Sequence, residues 1–178
     1  MMRVERLERP ASGVVTIADA KIYARIEGDD ENSALARMCV SAVLEFEDRA
    51  QLALLSQAVR VTLPHWPEGK ALALPLGPVV APATVTVTAG GEEFEGYSIE
   101  AGQRPALRLT GPRPQGRIVA EYIAGFGDDG ADVPEDIRHA LCDQVATYYD
   151  ARGAQDGKLL SVSPHFARIA SRYRGVKA

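Results

Sequence analysis

Six consecutive residues, Gly125-Phe126-Gly127-Asp128-Asp129-Gly130, spell G-x-G-x-x-G between a strand-like and a helix-like run. In a dinucleotide-binding protein that spacing lets backbone N–H groups and a helix N-terminus cradle a pyrophosphate. Here Asp128 and Asp129 would face the phosphates and repel them. The helix opens at Pro134 and not within the glycines, and the preceding strand alternates where a buried parallel strand is apolar throughout. Asp128, Asp129 and Asp132 could offer oxygens to calcium, but their spacing departs from the twelve-residue ligand loop. The plain reading is a structural loop, Gly125, Gly127, Gly130 and Pro134, closed by acidic residues at a helix start. Three glycines in six positions imply positive φ, so Gly127→Val is expected to cripple folding or assembly.

The remaining candidates for chemistry are sparse. His139 and Cys142 are three apart and could share a helix face, but a closed zinc site wants four ligands and no second pair is evident. Cys39 and Cys142 both read as small buried hydrophobes of a reducing compartment. His65, His139 and His165 fall in three different elements, none in a nucleophile-elbow context. Ser163, close to His165, is better explained as an N-cap. No P-loop, H-E-x-x-H or paired C-x-x-C occurs, and the carboxylates gather at helix starts and hairpins. The expectation is a protein that acts by binding and not by turnover, with no catalytic, cofactor or metal residues. Its rivals are a nucleotide- or metal-dependent enzyme centred on residues 125–132 and a DNA-binding module using the basic carboxyl end.

A chain of 178 residues with 46% apolar content can build one domain or two small ones. A net charge of -4 argues against a dedicated nucleic-acid binder. No apolar run approaches the roughly 20 residues of a membrane span, and the opening MMRVERLERP lacks the apolar centre of a signal peptide. The expected compartment is therefore a cytoplasm. Charge is uneven: no acid follows Asp156, whereas Lys158, Arg168, Arg172, Arg174 and Lys177 do.

The elements that position these residues follow from periodicity. Residues 1–15 show no clear period and read as an arm. Thr16 and Asp19 form a capping box for a short helix carrying Ile17, Ile22 and Ile26 and ending at Gly28. A second helix to about Ala50 aligns Leu35, Met38, Cys39, Ala42, Val43 and Phe46, with Glu31, Arg37, Glu45, Asp48 and Arg49 on its solvated side. From Gln57 the period becomes two. About six short strands follow, over 57–63, 71–74, 84–88, 97–100, 106–110 and 117–124, separated by Gly and Pro turns of which Gly90-Gly91 suits a tight hairpin. Trp66 is expected as a lid on the apolar face of the sheet. Ile137, Leu141, Val145 and Tyr148 mark a long helix, and Ser163-Pro164 opens a last one with Phe166, Ile169 and Tyr173. The class is α+β: a helical bundle over 16–54 and 132–173, made of an N-terminal helix pair plus C-terminal helices, with an inserted antiparallel β block over 55–126 and a tail at 174–178.

The order of these parts resembles the head-tail connector, or adaptor, proteins of tailed phages and gene-transfer agents, in particular the gp6-like and phiE125 gp8-like group. The resemblance is carried by TIADAKIYARIEGDDEN from Thr16, the strand from Gln57 with Trp66-Pro67 beyond it, and VAEYIAGFGDDGADVPEDIRHALCDQVATYYDAR from Val119. It implies a homo-oligomeric ring, a dodecamer to match the portal protein, in the neck of a virion assembled in the host cytoplasm. The ring would meet the portal above and the stopper, or tail-completion protein, below. DNA would pass through its channel without sequence-specific binding and with no membrane involved. It further implies that the carboxyl-terminal segment reaches the portal. Arg168, Arg172, Arg174 and Lys177 would then supply charge and Tyr173 and Val176 apolar anchors, on an arm poorly ordered until docked.

Overall fold

The computed structural model of the chain describes residues 1–152 and 162–174. It is a mixed α+β structure that divides into two compact units, Met1–Pro10 with Leu55–Asp128 and Ala11–Leu54 with Asp129–Ala178. The first unit holds all the strands among the described residues, the second all four α-helices.

The β unit contains two antiparallel sheets. Strands β1 (Arg3–Arg6), β2 (Gln57–Leu63), β4 (Thr86–Ala89), β5 (Glu92–Glu93) and β8 (Ile118–Ala124) form a five-stranded sheet in the order β1-β2-β8-β4-β5. Strands β3 (Ala71–Ala73), β6 (Tyr97–Glu100) and β7 (Ala106–Leu109) form a second in the order β3-β7-β6. The alternation read in β2 and β8 is the burial pattern observed: Val59, Val61 and Leu63, with Ile118, Ala120, Tyr122 and Ala124, turn inward. Trp66 is 1% exposed and meets Phe94 edge-on at 6.2 Å between ring centroids. The Tyr97 hydroxyl of β6 donates to the Val85 carbonyl at the head of β4 (3.0 Å), tying one sheet to the other.

Two expectations are corrected here. Residues 1–15 are not simply an arm, since β1 pairs along its whole length with β2, Arg3 opposite Thr62 through Arg6 opposite Val59. Val4 is the one apolar residue among charged ones in this strand, so no period could show; backbone pairing holds it in place. The six strands expected over 57–124 are all present, with the two-residue β5 added among the described residues, but the Gly-rich turns divide them between two sheets where one was expected.

The helical unit contains α1 (Ile17–Ala24), α2 (Asn32–Ala50), α3 (Glu135–Asp150) and α4 (Pro164–Tyr173). The capping box of α1 is present: the Asp19 N–H donates to the Thr16 hydroxyl (3.1 Å) and the Thr16 N–H to the Asp19 carboxylate (3.0 Å). The Thr16 hydroxyl also donates to the Asp19 carboxylate (2.7 Å), and this bond, with that from the Thr16 N–H, holds the Asp19 carboxyl below its usual range. The helix ends earlier than Gly28, at Arg25, which takes the left-handed conformation with φ 54°. Ile22 faces outward at 79% exposure, and Ala20 is the residue α1 buries fully. Leu35, Cys39, Ala42, Val43 and Phe46 of α2 are buried with Ile137, Leu141 and Val145 of α3 and Phe166 and Ile169 of α4. Phe46 and Phe166 meet edge-on at 5.4 Å. None of these helices is long and apolar enough to cross a membrane.

Candidate functional site

The Gly and Asp loop is built by β8 on one side and α3 on the other, and the boundary between the units falls between Asp128 and Asp129. Strand β8 is antiparallel to both neighbours, β2 and β4, so no βαβ crossover leads into the loop. Past the glycines comes a single 3-10 turn, Gly130–Asp132, closed by its own carboxylates. The Ala131 N–H donates to Asp129 (3.0 Å), the Asp129 N–H to Asp132 (3.1 Å), and the Asp132 and Val133 N–H groups to the carbonyls of Asp129 and Gly130. Four amides of this turn, those of Asp129, Ala131, Asp132 and Val133, are therefore occupied, and two of the three candidate calcium ligands serve as caps. Pro134 caps α3 and is not its first helical residue, with Glu135 and Asp136 at the positive end of the helix dipole.

The glycines do not share one role. Positive φ occurs at Gly125 (144°) and at neither Gly127 nor Gly130, so the positive φ expected at Gly127 is not found. A Cβ at Gly125 would lie 2.5 Å from the Leu55 carbonyl carbon and the Ser56 nitrogen. At Gly130 it would lie 2.2 Å from the Gly13 carbonyl oxygen, so contact and not φ fixes that glycine. The Gly127 carbonyl accepts from the Ser56 N–H (2.8 Å), a bond made by its backbone alone. Sequence spacing marked the right loop; the close approaches come from segments more than sixty residues away and left no local signal.

At the carboxyl end the expected arm is ordered as far as the structure describes it. Arg168, Arg172 and Tyr173 lie within α4, and Arg174 is its C-cap. Arg168 is exposed. Arg172 pairs with Asp136 of α3 and lies over the Tyr173 ring at 5.2 Å. The Tyr173 hydroxyl donates to Asp136 (3.0 Å) and its ring packs on Phe46 at 6.5 Å, so this residue anchors α4 to its own unit. The heptad-like position of Tyr173 after Phe166 and Ile169 already placed it on the buried stripe. Val176 and Lys177 lie outside the described residues.

Other groupings were not visible in the sequence. His139 of α3 and His165 of α4 stand 5.0 Å apart between ring centroids, and Tyr23 of α1 meets His139 at 5.3 Å. His139 and Cys142 line one small groove with Val15, Asp19, Ile22 and Arg138. No cluster of three or more His, Cys, Asp or Glu suited to a metal occurs among the described residues. Burial pushes the Cys142 thiol up to about 11 and also raises Cys39. Ser163 is the N-cap of α4, accepting from the Phe166 N–H (3.3 Å) while its hydroxyl donates to Asp143. Carboxylates of α2 taken for a solvated face are fasteners: Tyr148 donates to Glu45, and Glu31 receives Tyr149 and both terminal nitrogens of Arg152 (2.7 and 2.9 Å). Those bonds hold the Glu31 carboxyl down at about 2. Glu47, buried completely, accepts from the Leu54 N–H (2.8 Å) and fixes the chain after α2.

No protein-family model matches the chain, and no curated protein matches it. Solved structures do match over nearly its whole length. A chain from the neck of an empty gene transfer agent (GTA) particle, computed with C6 symmetry, superposes with a TM-score of 0.77 at 24% identity, covering 99% of this chain and 97% of that one. A chain from the virion of a native GTA particle gives 0.76 at 22% identity, covering 98% and 96%. One from the neck of a native GTA particle, computed with C12 symmetry, gives 0.74 at 21% identity, covering 99% and 97%. The fold is thus one found in the virion and neck of such particles.

Proposed function

We propose that the protein is a head-tail connector: a structural adaptor in the neck of a phage-like or gene-transfer-agent particle that joins the DNA-filled head to the tail. The observation that carries this reading is the likeness to neck chains, which covers 99% of this chain and 97% of theirs and so extends to both units. The symmetry of those necks, C6 and C12, supports a homo-oligomeric ring. In this reading the chain belongs to the gp6-like connectors and is a helical bundle carrying an inserted β block. It forms a ring under the portal, receives the stopper below, and works by contact without turnover. The portal-facing surface is the exposed side of α4, starting from Arg168, together with the basic residues that follow Tyr173.

Removal of the gene from the producing cell tests this. Filled heads without tails should accumulate, and the wild-type gene supplied in trans should restore tailed particles. Normal numbers of tailed, DNA-delivering particles in its absence would overturn the reading.

A further inference from the structure

Independently of the connector reading, we propose that His139 and His165 form a surface site for one divalent transition-metal ion of the zinc, nickel and copper group, which clamps α4 to α3. Both residues belong to the helical unit. Their imidazoles stand 5.0 Å apart between ring centroids, with the planes tilted by 59°. Two imidazoles bound to one tetrahedral ion through metal–nitrogen bonds of about 2.0–2.1 Å have their ring centres about 5 Å apart, so the observed spacing already suits a shared ion. His139 is exposed and His165 half-buried, which leaves the pair open to solvent. Neither ring makes a hydrogen bond to another described residue, and a neutral imidazole carries one free lone pair. Each ring can therefore turn that nitrogen toward an ion without breaking a bond.

The surroundings hold the pair in place and balance its charge. Asp143, one turn after His139 on α3, accepts from the Tyr23 hydroxyl (3.0 Å) and from the hydroxyl of Ser163, two residues before His165. Its negative charge is thus fixed beside the pair by two neutral donors, as a countercharge and not as a ligand. The Tyr23 ring meets His139 edge-on at 5.3 Å. Arg138, next to His139, is engaged by Glu135 (2.9 Å) and Asp19 (3.8 Å), and Arg168, three residues after His165, is exposed to screening solvent. No third ligand completes the set among the described residues, so water fills the other positions and the site is weaker than a closed four-ligand one. Its place in the fold gives it an effect. Asp136 fastens the end of α4 through Arg172 and Tyr173, and an ion on His139 and His165 would fasten its start.

Calorimetric titration of zinc into the full chain at neutral pH tests this, with His139→Gln, His165→Gln and, as a control in the β unit, His65→Gln. The wild type and the control should bind one ion per chain, and each of the other two variants should bind it at least about tenfold more weakly. Zinc at a hundred times its dissociation constant should raise the melting temperature of the wild type, followed at a helical circular-dichroism band, by about 5 °C or more, and a chelator should reverse the rise. Copper(II) in place of zinc should give an electron paramagnetic resonance spectrum split by two imidazole nitrogens. That signature is read on the wild type, so it decides the matter even if a substitution unsettles the fold. No uptake at millimolar zinc, uptake unchanged by His139→Gln or His165→Gln, or a copper spectrum with fewer than two imidazole nitrogens each overturns the proposal.

Discussion

Replacing Gly125 and Gly127 by alanine, one at a time, separates the two ways a glycine can matter in the loop after β8. At Gly125 the new Cβ meets backbone on the Leu55–Ser56 peptide at 2.5 Å, against roughly 3.5–4.0 Å for ordinary carbon contacts. That peptide cannot retreat freely, since Ser56 is bonded to Gly127 (2.8 Å) and Gln57 opposite Ala124 begins the β2–β8 ladder. Overpacking of this kind costs about 1–3 kcal/mol, and holding alanine at positive φ adds about 1–3 kcal/mol. The sum, roughly 2–6 kcal/mol, is a large share of the roughly 5–15 kcal/mol that keeps a domain folded. It should lower the melting temperature by about 5–20 °C. Gly127 has no positive φ, so its alanine variant escapes the conformational cost and should melt above the Gly125 variant. Trp66, the single tryptophan, is buried in the same unit as Gly125, and its fluorescence reports the melting of that unit. Equal melting of the two variants, or a greater loss at Gly127, would refute the close-approach argument.

Other perturbations address the helical unit. Phe166→Ala removes a fully buried ring from its edge-on contact with Phe46 and should cost about 3–5 kcal/mol, read by chemical denaturation followed at a helical circular-dichroism band. The Glu31 carboxyl is depressed from 4.5 to about 2 by Arg152 and Tyr149, so its stabilisation is complete above the unfolded value and is lost as pH falls through the folded one. Glu31→Gln should therefore flatten the decline of melting temperature between about pH 4.5 and 2; a variant with an unchanged slope would show the pair to be inert. Cys39 and Cys142 are buried with raised thiol pKa values, so a thiol reagent at neutral pH should label neither in the native chain and both after unfolding.

What could be read from the sequence divides along a physical line. Features set within a few residues were legible: the Thr16–Asp19 capping box, the alternation of β2 and β8, the apolar stripe of α3 and the Ser163 cap of α4. Each depends on local backbone geometry and on one face being buried. Features set by partners distant in the chain were not. Strand β1 is held by backbone bonds to residues 59–62, and Gly130 is fixed by a carbonyl more than a hundred positions earlier. The left-handed ends of α1 and α2 fall on Arg25 and Gln51, where composition would have favoured glycine.

The same line runs through the candidate site. Glycine spacing and acidic charge singled out residues 125–134, but charge alone could not say whether those carboxylates await a ligand or cap a turn; the bonds of Asp129 and Asp132 decide for the turn. At the carboxyl end, a run of basic residues without acids suggested a free arm reaching for a partner. In the fold, Asp136 takes both Arg172 and the Tyr173 hydroxyl, so part of that basic character is spent inside the unit, fastening α4 to the start of α3. Under the connector reading proposed above, docking at this end falls to Arg168 and the basic residues after Tyr173, with α4 as a fixed base. Substituting Arg172 would loosen that base before it touched any partner. A contact assigned to Arg168 alone, with Arg172→Lys leaving α4 in place, is the arrangement in which binding and folding can be told apart.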